Sequence, residues 1–154
     1  MAVQLISQDV FGFLRPEQVH AISEASERVS YKAGDIVYQK GAKADYFYTI
    51  LDGEVTLRLP GRGGVNIVID QLRKGAMFGS CVCFRRDKYA LTALCTEDSE
   101  LLKVSSHVLK DLMDKDLMMG YALATRITEI YFTRYIDTME KLQAIVMNIP
   151  IESG

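Results

Sequence analysis

Short apolar runs separated by glycine-bearing turns fill the middle of the chain, while apolar residues at three- and four-residue steps fill both ends. Ile36-Val37-Tyr38, Phe47-Tyr48-Thr49-Ile50-Leu51, Glu54 to Leu59, Val65 to Leu72, Ala90 to Ala93 and Leu101 to Val104 read as strands. Each is short and rich in β-branched, aromatic or alternating apolar residues. Tyr31 to Asp35 and Lys40-Gly41 read as turns, Asp52-Gly53 as a tight hairpin, and Pro60-Gly61-Arg62-Gly63-Gly64 as a flexible loop. Many short strands with regular turns predict a sandwich or jelly roll.

The flanks follow the helical period. From Gln4 to Val29 the pattern predicts helices with a break at Arg15-Pro16. Pro16 suits a first helical turn, and Val19, Ile22, Ala25 and Val29 share one face. Ser105 or Ser106 is placed to cap a helix that buries Val108, Leu109, Leu112 and Met113. A proline-free segment from Asp116 to Met147 then carries a heptad-like seam of Leu117, Tyr121, Ala124, Ile127, Tyr131, Tyr135, Met139, Leu142 and Val146. Ile130, Phe132 and Ile136 lie off that seam, so one face can cover the barrel while the seam meets a partner helix. A lone helix of this length would leave its stripe exposed. The expectation is a homodimer whose interface holds Tyr121, Ala124, Ile127, Tyr131, Tyr135, Met139 and Leu142; the alternative packs both faces within one chain. The whole is a single domain over 1–154, mainly β with flanking helices (α+β): helices over 1–30, strands over 31–104 and helices over 105–147.

Charge and composition narrow the function classes. A net charge of -2 at pH 7 gives no basic surface for broad nucleic-acid binding. Charges or glycines interrupt every apolar run before membrane-spanning length, and Met1 to Arg15 lacks the basic start and apolar core of a secretory signal. A cytoplasmic location, away from membranes, is expected. The three cysteines, Cys81, Cys83 and Cys95, are odd in number and argue for reduced thiols. Cys81-Val82-Cys83 is not a zinc-type pair, and His20 and His107, the only histidines, sit at no metal-ligand spacing. No catalytic residue and no metal site are expected. A metal-dependent jelly-roll enzyme would need clustered His and carboxylate ligands, and a haem sensor would need Cys81 or Cys83 together with His20.

The candidate chemistry lies in Gly75 to Thr92, GAMFGSCVCFRRDKYALT. A glycine-containing bend can present adjacent backbone N–H groups to an anion, and Gly79 lets a ligand approach the backbone closely. Arg85, Arg86 and Lys88 set positive charge beside it. This stretch resembles the phosphate-binding cassette of the cyclic nucleotide-binding domains, the family of the catabolite activator proteins and of kinase regulatory subunits. The matching positions are Gly75, Phe78, Gly79, Ala90 and Thr92, and a second set is Gly34, Ile36, Gly41, Phe47, Ile50, Leu51, Gly53 and Val55. Two positions depart: Ser80 stands where the family has the Glu that holds the ribose hydroxyl, and Tyr89 where it has the Arg that pairs with the cyclic phosphate.

The resemblance implies a double-stranded β-helix jelly-roll barrel with N-terminal helices and a long C-terminal dimerisation helix. It implies a non-catalytic sensor or regulatory module whose ligand, cAMP or cGMP held weakly or a different small anion, would lie against Phe78, Gly79, Ser80, Cys81, Lys88, Tyr89, Ala90, Leu91, Thr92, Arg134 and Tyr135. Lys88, Arg85, Arg86 or Arg134 would replace the missing phosphate-binding cation. Tyr131 and Tyr135 would either stack on a base or belong to the core or the dimer seam. A ligand-free interaction module with an empty pocket is the alternative. Family transcription factors continue into a helix-turn-helix where this chain stops, so no direct DNA reading is expected of it; the sensor half of a longer regulator is a further alternative.

Overall fold

The computed structural model describes residues 10–79 and 85–147. Within them, α1 (Pro16–Glu24) precedes β1 (Ser26–Tyr31), β2 (Ile36–Tyr38), β3 (Tyr46–Asp52) and β4 (Glu54–Pro60). Then come β5 (Asn66–Arg73), β6 (Met77–Phe78), β7 (Thr92–Cys95), β8 (Ser99–Ser105), α2 (Ser106–Lys115) and α3 (Leu117–Met147). The strands form two antiparallel sheets, ordered β1-β8-β3-β6 and β2-β7-β4-β5. Consecutive strands lie in opposite sheets at every step except the β4–β5 hairpin. That winding is the jelly roll, with the helices outside it.

The apolar pattern explains the layers. β3 and β8 are buried on both faces: Tyr48, Ile50 and Leu101 point into the barrel, while Phe47, Leu102 and Val104 meet the helices. Hence the continuous run Phe47 to Leu51 where a half-exposed strand would alternate. Val19 and Ile22 of α1, Leu109 of α2, and Leu123 and Ile127 of α3 complete the outer cluster. Each such side chain contributes about 1.5–3 kcal/mol of burial. Asp116 joins the three helices. Its carboxylate accepts from Met119 N at 3.0 Å and from Gln18 Nε2 at 3.1 Å, and those bonds hold its pKa below the usual aspartate value.

Three local expectations need correction. The N-terminal helix stops at Glu24, and Val29 lies in β1, paired with Leu101 of β8, so the strands begin before residue 31. Val29 falls four residues after Ala25 and seven after Ile22 by coincidence; a β-branched residue flanked by polar ones fits a strand as well. Ser105 occupies the N-cap of α2 but makes no side-chain cap bond; instead Ser106 N donates to Asp45 O at 2.8 Å. Asp52-Gly53 is not a hairpin, because β3 and β4 lie in different sheets. It is the corner at which the chain crosses between them.

Gly53 is required at that corner. Its φ is +95°, and a Cβ there would lie 2.7 Å from the Asp98 carbonyl oxygen and 2.8 Å from Ser99 Cα. Gly53→Ala is therefore expected to lower stability in urea unfolding by about 1–3 kcal/mol from backbone strain alone, with the clash in addition. Gly63→Ala, at φ +67° with open space around it, is expected to cost less.

Candidate ligand-binding site

The bend after β5 is held by backbone. Gly75 N donates to Ile50 O at 2.9 Å, and Ile50 N to Ala76 O at 2.9 Å. Phe78 is fully buried and stacks on Tyr48, ring centroids 5.1 Å apart and planes 8° off parallel. Gly79 follows at φ +79°, enclosed so closely that a Cβ would meet Tyr46 O at 3.1 Å and Tyr89 Cε1 at 3.4 Å. Ser80 and Cys81, the expected centre of the anion grip, and Cys83 lie outside the described residues.

Tyr89 stands at the expected cation position, and it is not a rim residue. It is 4 % exposed and stacks on Tyr38, with centroids 3.5 Å apart and planes 9° off parallel. Its hydroxyl donates to Tyr46 O at 2.7 Å and accepts from Tyr46 N at 3.1 Å. The aromatic block of Tyr38, Tyr48, Phe78 and Tyr89 is electrically neutral; burial raises the Tyr48 phenol well above its ordinary value. Tyr89, at the sequence position where the resemblance expects the Arg, is thus a buried, hydrogen-bonded phenol. Lys88 is exposed and bridges to Lys43 through the backbone, and Arg85 and Arg86 are exposed as well. Ala90 is exposed, and Thr92 Oγ1 is used locally, accepting from Lys40 N at 3.0 Å.

Arg134 comes closest to the cassette from the helix side. Its Nη2 donates to Met77 O at 2.6 Å, one residue before Phe78, and its Nε lies 3.6 Å from Asp70 Oδ2. Together with Leu57, Ile69, Leu91, Tyr131 and Tyr135, this pair lines a cavity of about 230 Å³ between β4, β5 and α3. The structure therefore gathers Leu91, Arg134 and Tyr135 around one space, and places Lys88, Ala90 and Thr92 elsewhere. Sequence reasoning missed Asp70, Leu57 and Ile69. Asp70 ends the apolar run Ile67-Val68-Ile69, a carboxylate in a strand pattern that gave the one available signal. Among the described residues, no group of three or more His, Cys, Asp or Glu is placed to hold a metal ion.

Residues 28–116 match the family model described as the cyclic nucleotide-binding domain. The chain belongs to that family. It is 25 % identical over 141 residues to a cAMP-dependent protein kinase regulatory subunit of Dictyostelium discoideum, covering 90 % of this chain and 43 % of the relative. The family's fold recurs in a cyclic nucleotide-binding domain from Methylobacillus flagellatus, with a TM-score of 0.81 at 16 % identity over 99 % of this chain and 86 % of that one. It also recurs in the Thermus thermophilus catabolite activator protein, TM-score 0.73 at 21 % identity over 90 % of this chain and 63 % of that one. The sensor domain of the transcriptional regulator DNR from Pseudomonas aeruginosa gives 0.72 at 20 % identity over 99 % and 95 %. Within the described residues, no helix is long and apolar enough to cross a membrane.

The long helix α3 also revises the expected seam. Ile127 is 1 % exposed and sits in the core, and Tyr131 packs against that core, so both face the barrel rather than a partner. The inward face runs through Leu123, Ile127, Ile130 and Arg134, and the outward face through Tyr121, Thr125, Thr128, Phe132, Tyr135, Met139, Leu142 and Val146. The outward residues follow a 4-3-4-3 step, a seven-residue repeat. Ala124 stays on the exposed side, beside Tyr121 and Phe132.

Proposed function

We propose that the chain is a non-catalytic, cytoplasmic regulatory module that binds a small nucleotide-like ligand between its barrel and α3 and acts as a homodimer. The observation that carries the ligand reading is the cavity walled by Leu57, Ile69, Leu91 and Tyr131, with Asp70 and Arg134 on its wall. Arg134 ties its wall to the bend through the Met77 carbonyl, and a ring in the cavity with a cyclic phosphate towards the bend is the arrangement this reading takes. The dimer reading rests on the outward stripe of α3, where every described residue after Arg134 is exposed. Signalling follows from the ligand's different affinity for two arrangements of that helix.

Tyr89 favours a second reading, a ligand-free interaction module, because it occupies the cation's place. Thermal unfolding separates the two. With 1 mM cAMP or cGMP and a Kd on the order of 100 µM, binding adds about 1.4 kcal/mol. The midpoint then rises by about 3–5 °C. No rise with either nucleotide overturns the ligand reading and leaves the interaction module.

A further inference from the structure

Lys40, Lys43, Arg85, Arg86 and Lys88, all exposed, lie on two segments that meet at one rim of the barrel. Backbone bonds hold the segments side by side. Gly41 N donates to Tyr89 O at 2.8 Å, Tyr89 N to Ala42 O at 2.9 Å, and Ala44 N to Asp87 O at 2.8 Å. The buried Tyr89, stacked on Tyr38, anchors the second segment. Of these five cations only Lys43 has an ion pair among the described residues, with Asp45 at 3.8 Å. Elsewhere cations sit beside carboxylates, as Arg28 does with Glu100 and Arg73 with Glu54. Against the five stand the carboxylates of Asp45 and Asp87, a local charge of +3 on a chain of net charge -2.

Two features of this rim cost stability. Lys43 and Lys88 are direct partners in an antiparallel bridge, and like charges directly opposite destabilise. Arg85 has a φ of +56°, the one positive value outside glycine among the described residues. That conformation strains a residue with a Cβ, and such strain gathers at functional sites. A partner that supplies countercharge relieves the first cost.

We propose that this rim docks an acidic, extended segment of a partner protein. The docking does not depend on a ligand between the barrel and α3. Carboxylates at alternate positions of an extended chain lie about 7 Å apart, so one short segment meets several of these cations at once. Each exposed pair is weak, and their number makes the affinity. The neighbouring residues disfavour a lipid surface. Within 39–44 and 85–90 the apolar side chains are alanines and the buried Tyr89, which leaves no large apolar group to enter a bilayer. Nucleic acid is disfavoured because the chain outside the rim is net acidic and repels a polyanion that extends past it.

Fluorescence anisotropy with a labelled peptide of about twelve residues, alternating Glu and Ser, tests this. At about 50 mM NaCl a Kd on the order of 100 µM or tighter is expected, weakening at least about tenfold at about 300 mM. Lys40→Glu with Arg86→Glu removes two pairs and adds two repulsions, each a factor of about 1.4–5, and is expected to weaken binding at least about tenfold. Lys74→Glu with Lys115→Glu, exposed positions outside the rim, makes the same change in net charge and is expected to weaken it less than about threefold. Peptide binding that is absent, that salt leaves unchanged, that the rim variant weakens by less than this margin, or that both variants weaken alike overturns the proposal. Tighter binding of phosphatidylserine vesicles or of an oligo-dT strand than of the peptide overturns a protein segment as the occupant. Should the rim variant fail to fold, Lys40→Gln with Arg86→Gln decides, with an expected weakening of at least about threefold.

Discussion

Met139→Glu combined with Leu142→Glu is expected to turn a sedimenting dimer into a monomer at micromolar concentration without unfolding it. Both side chains lie on the outward stripe, 50 % and 59 % exposed, and touch no part of the core. Their replacement therefore leaves the barrel intact. About half of each side chain remains to be buried by a partner, worth about 1 kcal/mol apiece. Four side chains per dimer make about 4 kcal/mol, roughly a thousandfold in Kd before the repulsion of the new charges. Ile127→Ala provides the contrast: it opens a cavity in the core and is expected to lower the unfolding midpoint. A wild-type chain that sediments as a monomer at these concentrations overturns the dimer reading.

The expected seam includes Ile127 and Tyr131, and both pack on the barrel side of α3. From Tyr135 onward the sequence repeat and the exposed stripe coincide, because every described residue there is exposed and the barrel chooses no face. Before Tyr135 the barrel chooses. Ile127 and Tyr131 are the larger apolar residues and turn inward, and the outward stripe falls on Thr125, Thr128 and Phe132. Two of these are threonines, which carry no apolar signal; Thr128 Oγ1 donates to Ala124 O of its own helix at 2.7 Å. A helix covered on one side and open on the other carries two interleaved repeats, and spacing alone does not rank them.

The barrel was legible for a different reason. Gly34, Gly41, Gly53 and Gly75 all adopt positive φ, so their spacing marks real turns and the family's winding with them. What they could not say is which strands each turn joins. Asp52-Gly53 carries a hairpin composition yet crosses between sheets, a long-range choice made by the pairing of β3 with β8 and of β4 with β7. Asp70 escaped notice because its meaning depends on Arg134, 64 positions along the chain and brought to it only when α3 closes over β5.

The second large effect concerns Tyr89. A buried cation paired with a phosphate is worth on the order of 2–5 kcal/mol, about 30- to several thousand-fold in affinity. At the sequence position expected to supply that cation stands Tyr89, locked by Tyr38 and by both polar groups of the Tyr46 backbone, and the lysine and arginines Lys88, Arg85 and Arg86 stand in solvent. Exposed charges are screened by water and salt and hold a phosphate weakly. Arg134 is already matched by Asp70. The ligand's ring should accordingly carry most of the binding, and its phosphate little. Calorimetric comparison of cGMP with guanosine on the same protein reads that division: the cyclic phosphate should tighten binding by less than about thirtyfold. A larger gain would demand a buried cation at the bend, and would contradict a site in which Tyr89 has taken the cation's place.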